Sequence, residues 1–401
     1  MNIYIPTATN SLEGKSFDAR FINPGVGGTE YLSVILAWAL SERFKHLNVK
    51  IISKCSFHLI NKPDNLALIN ENVNNVWAAT DWASSFWILT VSLAESLSIK
   101  IKENHYVNSV VWSHHPSDWR VLKFSKIHKS LVSTGLYQFH SNLFYFKKHH
   151  LVNNLYFPQF DNELINSNIN EKKLKEFNVM FLGALIPAKG FHHVLENWKN
   201  IKSAIPNAIL HVVGGSNLYG TEKNIDTQIP CDSDYAAKLK RIILKDSLDV
   251  NSIVFYGSCG EERFDIYKKM NVAIVNPTGV SESFSFNLHE CIDFGIPVVA
   301  SIDYGLNDVM KYFDNLSISS PSEIVNRIIQ INSEKFSKED FKLRRAKYLN
   351  MIKKRNDKIL ESWLKIINGQ LMADKYRINS YVLLKGVVRS LVGRVKNLIK
   401  N

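Results

Sequence analysis

Glu282 and Glu290 have seven residues between them in the stretch "GVSESFSFNLHECIDFGIPVVAS", residues 279–301. The apolar run from Phe286 onward has helical spacing, and Gly-Ile-Pro then leads into a β-branched strand, so a helix is expected to start near Phe286. Carboxylates so placed have three uses. They can stabilise or move a proton at a reacting centre, accept hydrogen bonds from a polyhydroxyl ligand, or complement the positive end of a helix. Glu282 falls on the loop before the helix. The amides of Phe284, Ser285, Phe286 and Asn287 fall at the helix start, where N–H groups can hold a pyrophosphate. Glu290 falls in the first turns of the helix. There a carboxylate can accept from two adjacent ribose hydroxyls, or simply sit well near a helix N-terminus.

Other stretches carry chemistry of the same kind. In "FLGALIPAKGFHHVLENW" a strand ends at Gly183, and Lys189 opens the next helix, where an ammonium can neutralise a phosphate as a point charge. It can equally be a solvated surface lysine. "NPGVGGTEY" places Gly25, Gly27 and Gly28 before a helix, either as a plain turn or as close backbone contacts to an anion. It lacks the G-K-[ST] of a Walker loop and the G-x-G-x-x-G spacing of a dinucleotide fingerprint. His114 and His115 end a strand in "VVWSHHPSDW" and can touch a sugar, move a proton, or serve the core. Asp232-Ser233-Asp234 imitates a metal-binding D-x-D, but it directly precedes a helical run and is read as a cap. No metal and no cofactor are expected.

Alternating strands and helices must position these groups. Short β-branched runs alternate with longer helical patterns, which implies βα units and mostly parallel sheets. The expected strands are "NIYIP", "VKIISK", "NVWAAT", "SVVWSH" and "SLVST" in the first half. In the second they are "NVMFLG", "AILHVVGG", "SIVFYG", "VAIVNP" and "PVVAS". "TEYLSVILAWALSERF" reads as a buried helix, and "DYAAKLKRIILK" and "EERFDIYKKM" as helical connections. Two doubly wound domains joined near residues 160–175 follow. Such domains bind ligands beyond the carboxyl ends of their strands, and two such edges facing one cleft are expected.

Composition narrows the partners. The 401 residues are 45% hydrophobic and 11% aromatic, enough to bury more than one core. The four cysteines form no C-x-x-C pair or zinc spacing, so reduced, inert thiols are expected. No secretory signal and no membrane-spanning run is apparent. The formal charge is +12, but the last 27 residues hold seven basic and no acidic side chains, which leaves the rest near +5. With no recognised nucleic-acid module, nucleic acid is not expected as a partner. The tail "KYRINSYVLLKGVVRSLVGRVKNLIKN" spaces Tyr381, Leu384, Val388, Leu391, Val395 and Leu398 along one helical face, with basic residues beside it. Residues 375–400 are therefore expected to lie on an anionic membrane surface, or else to dock on protein.

The ordered set Gly27-Gly28-Thr29, His114-His115-Pro116, Gly183 with Lys189-Gly190, and Glu282-x7-Glu290 resembles retaining GT-B glycosyltransferases of the large family four, glycosyl transferases group 1. The resemblance covers about residues 1–370 and is most specific over 178–310. It implies an α/β GT-B fold of two Rossmann-like doubly wound domains facing a central cleft. Residues 1–165 would form the acceptor domain and 166–345 the nucleotide-sugar domain. A helix over 346–372 would cross back, and 373–401 would form a basic tail. It implies retaining, metal-independent transfer of a sugar from a nucleotide sugar to a glycan or lipid-linked acceptor, in cell-surface polysaccharide, lipopolysaccharide or glycolipid synthesis. The place implied is cytoplasmic, peripheral at the inner membrane face. Lys189 would bind the pyrophosphate, Gly27 and Gly28 its distal phosphate, Glu282 the donor sugar, and Glu290 the ribose. His114, or less readily His115, would touch the donor sugar, and Tyr256 to Cys259 would flank the base. Two positions depart from the family pattern. Ala184 stands where an arginine usually accompanies the lysine, and Ser285 where glycine is usual. The first motivates an alternative, a catalytically weak nucleotide-sugar-binding partner in an assembly complex.

Overall fold

The structure is a computed structural model, and it describes residues 1–7, 9–20, 23–98, 107–115, 127–142, 148–160, 176–215, 226, 228–280, 282–370 and 388. The basic tail proposed to meet a membrane lies outside the described residues, apart from Val388. Among the described residues no helix is long and apolar enough to cross a membrane. All four cysteines are free.

The chain forms two compact units. One comprises Met1–Ile22, Val26–Leu155 and Arg355–Asn401; the other comprises Asn23–Gly25 and Tyr156–Lys354. The helix Lys338–Ile367 therefore contributes its first part to the second unit and its last part to the first.

The first unit holds strands β1 (Asn2–Pro6), β2 (Ser16–Phe17), β3 (Asn48–Ser53), β4 (His58–Leu59), β5 (Leu66–Asn70), β6 (Ser85–Thr90), β7 (Ser109–Ser113), β8 (Ser130–Ser133) and β9 (His149–Leu151). Seven of them form a parallel sheet in the order β5-β3-β1-β6-β7-β8-β9, and β2 and β4 pair separately. Every residue of β6, β7 and β8 is buried, as a parallel strand covered on both faces must be. The helix Gly28–Arg43 is buried from Glu30 to Ser41. Its near-continuous apolar run encodes that burial.

"NVWAAT" is not a strand. Its first four residues belong to the helix Val73–Ala78. Asn72 caps that helix by accepting from the Asn74 amide at 3.0 Å. Val73 and Trp77, four residues apart, are its buried residues, which is a helical period that six residues could not announce by themselves. The neighbouring run Ser85–Thr90 takes the strand position instead.

The second unit holds β10 (Phe177–Leu182), β11 (Ala208–Val213), β12 (Ile253–Gly257), β13 (Val272–Val275), β14 (Val298–Ser301) and β15 (Ser317–Ile318). Their order is β12-β11-β10-β13-β14-β15, all parallel. Counting strands in chain order this is 3-2-1-4-5-6, the doubly wound arrangement. β10 is buried throughout. Trp198, wholly buried on the helix Phe191–Ala204, gives its indole N–H to Ser252 Oγ at 2.9 Å, so its polar atom is satisfied inside the core. From β10 the chain goes on to β11 at one side and from β13 to β14 at the other, so the switch point lies between β10 and β13. Ligands of such sheets bind outside the carboxyl ends at that point.

Candidate active site

The loops after β10 and β13 carry the two groups singled out in the sequence. Lys189 ends a short 3-10 turn, Pro187–Lys189. Gly190 follows at φ 73, and a Cβ there would meet Thr278 Cγ2 at 2.6 Å. Only glycine allows both the left-handed backbone and this close approach of the two loops. The Thr278 hydroxyl donates to the Ala188 carbonyl at 2.9 Å, tying the same loops together. The result is an ion pair across the switch point. Lys189 Nζ lies 2.5 Å from Glu282 Oε2, with side-chain exposures of 19% and 11%. The Asn276 amide donates to the same oxygen at 3.1 Å and to the Val280 carbonyl at 3.2 Å. Asn276 is buried at φ 39, a conformation that asparagine tolerates better than most residues.

Glu282 is also fixed through its backbone. Its carbonyl accepts from the Gly305 amide at 3.1 Å, and Gly305 packs flat against Ser283. The helix after it spans Phe286–Phe294. Ser285 is its cap: the hydroxyl accepts from the Leu288 amide at 3.3 Å, and the backbone is extended at φ −98. Glycine is therefore not required there, and serine contributes a cap worth about 1 kcal/mol over alanine. Phe284 and Phe286 form an edge-to-face pair at 5.2 Å. The first-turn amides, including that of Asn287, cannot bond within the helix and present a positive end. Ala184 is buried beside Gly183.

Glu290 sits one turn further in. Its carboxylate accepts a fork from Arg263, Nε to Oε2 at 2.9 Å and Nη2 to Oε1 at 2.6 Å. Tyr267 donates its hydroxyl to Oε2 at 2.7 Å. Burial alone would pull the Arg263 guanidinium down, but the Glu290 carboxylate more than offsets it, so its pKa ends above the usual value. Tyr267 is held well above the usual phenol range, first by burial and then by the Glu290 charge, so it remains a donor. Tyr256, beside the sheet end, is 40% exposed. Its ring stacks on His211 at 5.8 Å, and its hydroxyl meets Nδ1 at 2.9 Å. Cys259 is half-buried two residues beyond Gly257.

The D-x-D pattern is a cap. Asp232 accepts from the Asp234 amide at 3.0 Å and starts the helix Ser233–Lys245.

Gly27, Gly28, His114 and His115 belong to the first unit. Gly27 caps the helix Gly28–Arg43 with extended backbone, and its carbonyl accepts from Tyr31 at 3.1 Å. A Cβ on Gly28 would meet nothing within 4 Å, so the fold does not require glycine there. His114 follows β7, is 5% exposed, and packs on the Trp112 ring at 4.2 Å. Neither of its ring nitrogens has a partner among the described residues. Burial first, then neighbouring His115, lowers its pKa to about 3, so it is a neutral imidazole near pH 7. His115 is exposed.

Arg263, Tyr267, Asn276 and Gly305 were not singled out by their sequence context. Nothing local marks them, because each acts on a residue brought near by the fold.

With two parallel doubly wound sheets, and a paired lysine and glutamate at one switch point, the fold is that of a GT-B glycosyltransferase. Residues 162–348 match the family described as glycosyl transferases group 1. Solved structures agree on the fold. Sucrose-phosphate synthase from Thermosynechococcus elongatus is 14% identical, with a TM-score of 0.58, over 92% of this chain and 96% of that one. HepE of Anabaena, solved with UDP, is 14% identical with a TM-score of 0.61, over 91% of this chain and 100% of that one. The lipopolysaccharide outer core galactosyltransferase WaaB is 12% identical with a TM-score of 0.56, over 92% and 100%. At such identities the likeness is one of fold. A search of curated proteins by sequence found no match.

Proposed function

We propose that the protein transfers a sugar from a nucleotide-sugar donor to an acceptor hydroxyl with retention of anomeric configuration. The observation that carries this reading is the Lys189–Glu282 pair at the switch point of the second sheet. Loss of a nucleoside diphosphate builds negative charge on the β-phosphate and positive charge on the sugar. Groups aimed at those charges stabilise the transition state more than the ground state. On donor binding, the Lys189 ammonium exchanges its partner, Glu282, for the β-phosphate. The freed Glu282 carboxylate then accepts from sugar hydroxyls on the reacting face. The first-turn amides at 286–287 supply further positive charge, and this chemistry requires no metal. Glu290 holds the ribose. For the first unit, the reading assigns Gly27 and Gly28 to the distal phosphate, and His114, as a neutral imidazole, to the donor sugar.

HepE, also solved with UDP-glucose, supports the nucleotide-sugar class. WaaB, by its description, supports a cell-surface glycan or lipid-linked acceptor. The reading places the protein in the cytoplasm, peripheral at the membrane through residues 375–400. Co-sedimentation of the full chain and of a chain ending at Ala373 with anionic vesicles tests that placement, and equal binding by both would remove it.

The transfer reading is tested by a thermal-shift screen against nucleotide sugars, followed by NMR of the early product formed from the best donor. Retention in that product is expected; inversion overturns the mechanism. Ala184 favours a second reading, a weakly catalytic nucleotide-sugar-binding partner. Tight diphosphate binding without turnover on any acceptor would select it.

A further inference from the structure

Asn276 is the first residue after β13, at the carboxyl end of the strand and beside the switch point. It is 2% exposed and takes φ 39. Glycine would adopt that backbone at less cost, so what asparagine adds here is its side chain. Every polar atom of that side chain is used. Nδ2 donates to Glu282 Oε2 at 3.1 Å and to the Val280 carbonyl at 3.2 Å. Oδ1 accepts from the Thr278 hydroxyl at 2.9 Å, and the same hydroxyl lies 2.9 Å from the carbonyl of Ala188, the residue before Lys189. The reverse orientation of the amide would set Oδ1 against two acceptor oxygens, so the N–H groups face Glu282. The turn after β13 has a backbone bond of its own, from the Gly279 amide to the Asn276 carbonyl at 3.1 Å.

Glu282 has both its partners on one oxygen. Oε2 accepts from Lys189 Nζ and from Asn276 Nδ2, while Oε1 bonds to no described residue. When the Lys189 ammonium turns to a phosphate, the carboxylate loses its stronger partner. The Glu282 side chain is only 11% exposed, so little water can take the place of the lysine. A carboxylate left without a fixed donor would turn about its side-chain bonds, and a shift near 1 Å at a reacting group is felt on the order of 10²-fold in rate. Asn276 carries no charge, so an incoming phosphate does not draw it away as it draws the ammonium.

We infer that Asn276 is a positioning residue, which holds Glu282 Oε2 in place while Lys189 passes from carboxylate to phosphate and so leaves Oε1 open. The inference rests on the transfer reading above. It adds which group keeps Glu282 fixed once its ion pair is broken.

Two variants of the full chain test it. Asn276→Gly keeps the left-handed backbone and removes the amide. Asn276→Asp keeps the shape and the acceptor toward Thr278, but sets a carboxylate oxygen against Glu282. Hydrolysis of UDP-glucose, ADP-glucose or GDP-mannose, whichever the wild type cleaves fastest, reports turnover with water as the acceptor. Calorimetry with the matching diphosphate reports binding. Asn276→Gly should lower kcat by roughly 10- to 100-fold, as loss of a hydrogen bond to a charged group does. The diphosphate Kd should stay within about threefold of wild type, because Lys189 is untouched. Asn276→Asp should lose at least as much at about pH 8 and regain about tenfold of it at about pH 6, measured against the wild type at the same pH. Two carboxylates sharing one site bind a proton above their ordinary range, and the shared proton restores a donor to Oε2. Turnover within about threefold of wild type in folded Asn276→Gly, a diphosphate Kd that weakens in step with kcat, or a deficit in Asn276→Asp that does not change with pH overturns the inference alone. If one variant does not fold, the other decides. If the wild type binds none of the three diphosphates and cleaves none of the three donors, the transfer reading is overturned and the inference falls with it.

Discussion

Replacing Gly305 by alanine should slow transfer by about 10²-fold without unfolding the protein. Gly305 touches no ligand in the proposed reaction. A Cβ on it would lie 2.2 Å from the Ser283 carbonyl oxygen, 2.5 Å from its carbon and 2.7 Å from Ser283 Cα. Ordinary contact begins at 3.4 Å, so one backbone must retreat by 1.2 Å, the difference between the two distances. All three clashing atoms are backbone, so no rotamer relieves them. The Gly305 amide also holds the Glu282 carbonyl at 3.1 Å, so the retreat is passed to the residue that pairs with Lys189. A displacement near 1 Å at a reacting group costs on the order of 10²-fold in rate. Overpacking of this kind costs about 1–3 kcal/mol of stability, which shifts Tm by roughly 2–10 °C for a unit of this size. The assay is turnover of the best donor beside a melting curve. A variant within about threefold of wild-type turnover at unchanged Tm would refute the claim that Gly305 sets the position of Glu282, since the expected loss is about 10²-fold.

The Lys189–Glu282 pair makes an asymmetric prediction. Lys189→Ala should weaken nucleoside diphosphate binding and cut transfer by roughly 10²–10³-fold. Glu282→Ala should cut transfer comparably, yet bind the diphosphate as tightly as wild type or more so, because the competing carboxylate is gone; weaker binding by this variant in calorimetry would contradict the exchange of partners. Asp293 predicts a pH dependence. It is wholly buried, accepts from the Tyr156 hydroxyl at 3.1 Å and the Gln159 amide at 2.7 Å, and faces Arg345. Burial raises its pKa to about 6, against the lowering effects of the Gln159 amide and Arg345. A raised carboxyl contributes stability that is full below its unfolded pKa and is lost as pH rises through the folded value. Relative to Asp293→Asn, the wild type should lose about 3 kcal/mol between pH ~4 and pH ~6.5, at about 1.36 kcal/mol per unit. Denaturant unfolding at the two pH values measures this, and a flat difference between the two proteins would contradict it. Transfer should also persist in excess chelator, because lysine and helix amides carry the charge; complete, metal-reversible loss would reverse that assignment.

Local signals determined much of this protein. Runs such as "NVMFLG" and "VAIVNP" have an unbroken apolar stretch of four residues because a central parallel strand is covered on both faces, and they became β10 and β13 with ends shifted by a residue or two. The start of the helix at Phe286 and the capping role of Asp232 depend on side chains within four residues, and the sequence places them correctly; the cap at Ser285 came from the structure. "NVWAAT" misled because six apolar-rich residues fit either period, and only the neighbours packed against Trp77 and Val73 decide between them. Lys189 and Glu282 were each legible as a candidate, but not as a pair. They are 93 residues apart, and they meet because β10 and β13 are neighbours at the switch point of the 3-2-1-4-5-6 order. Arg263 and Glu290 are 27 residues apart on two different helices, and neither residue type announces the other. Sequence encodes local conformation through short-range sterics and hydrophobic period. Which charges neutralise each other, and which acceptor positions stay open, depends on strand order and close packing, and the tertiary structure alone decided that.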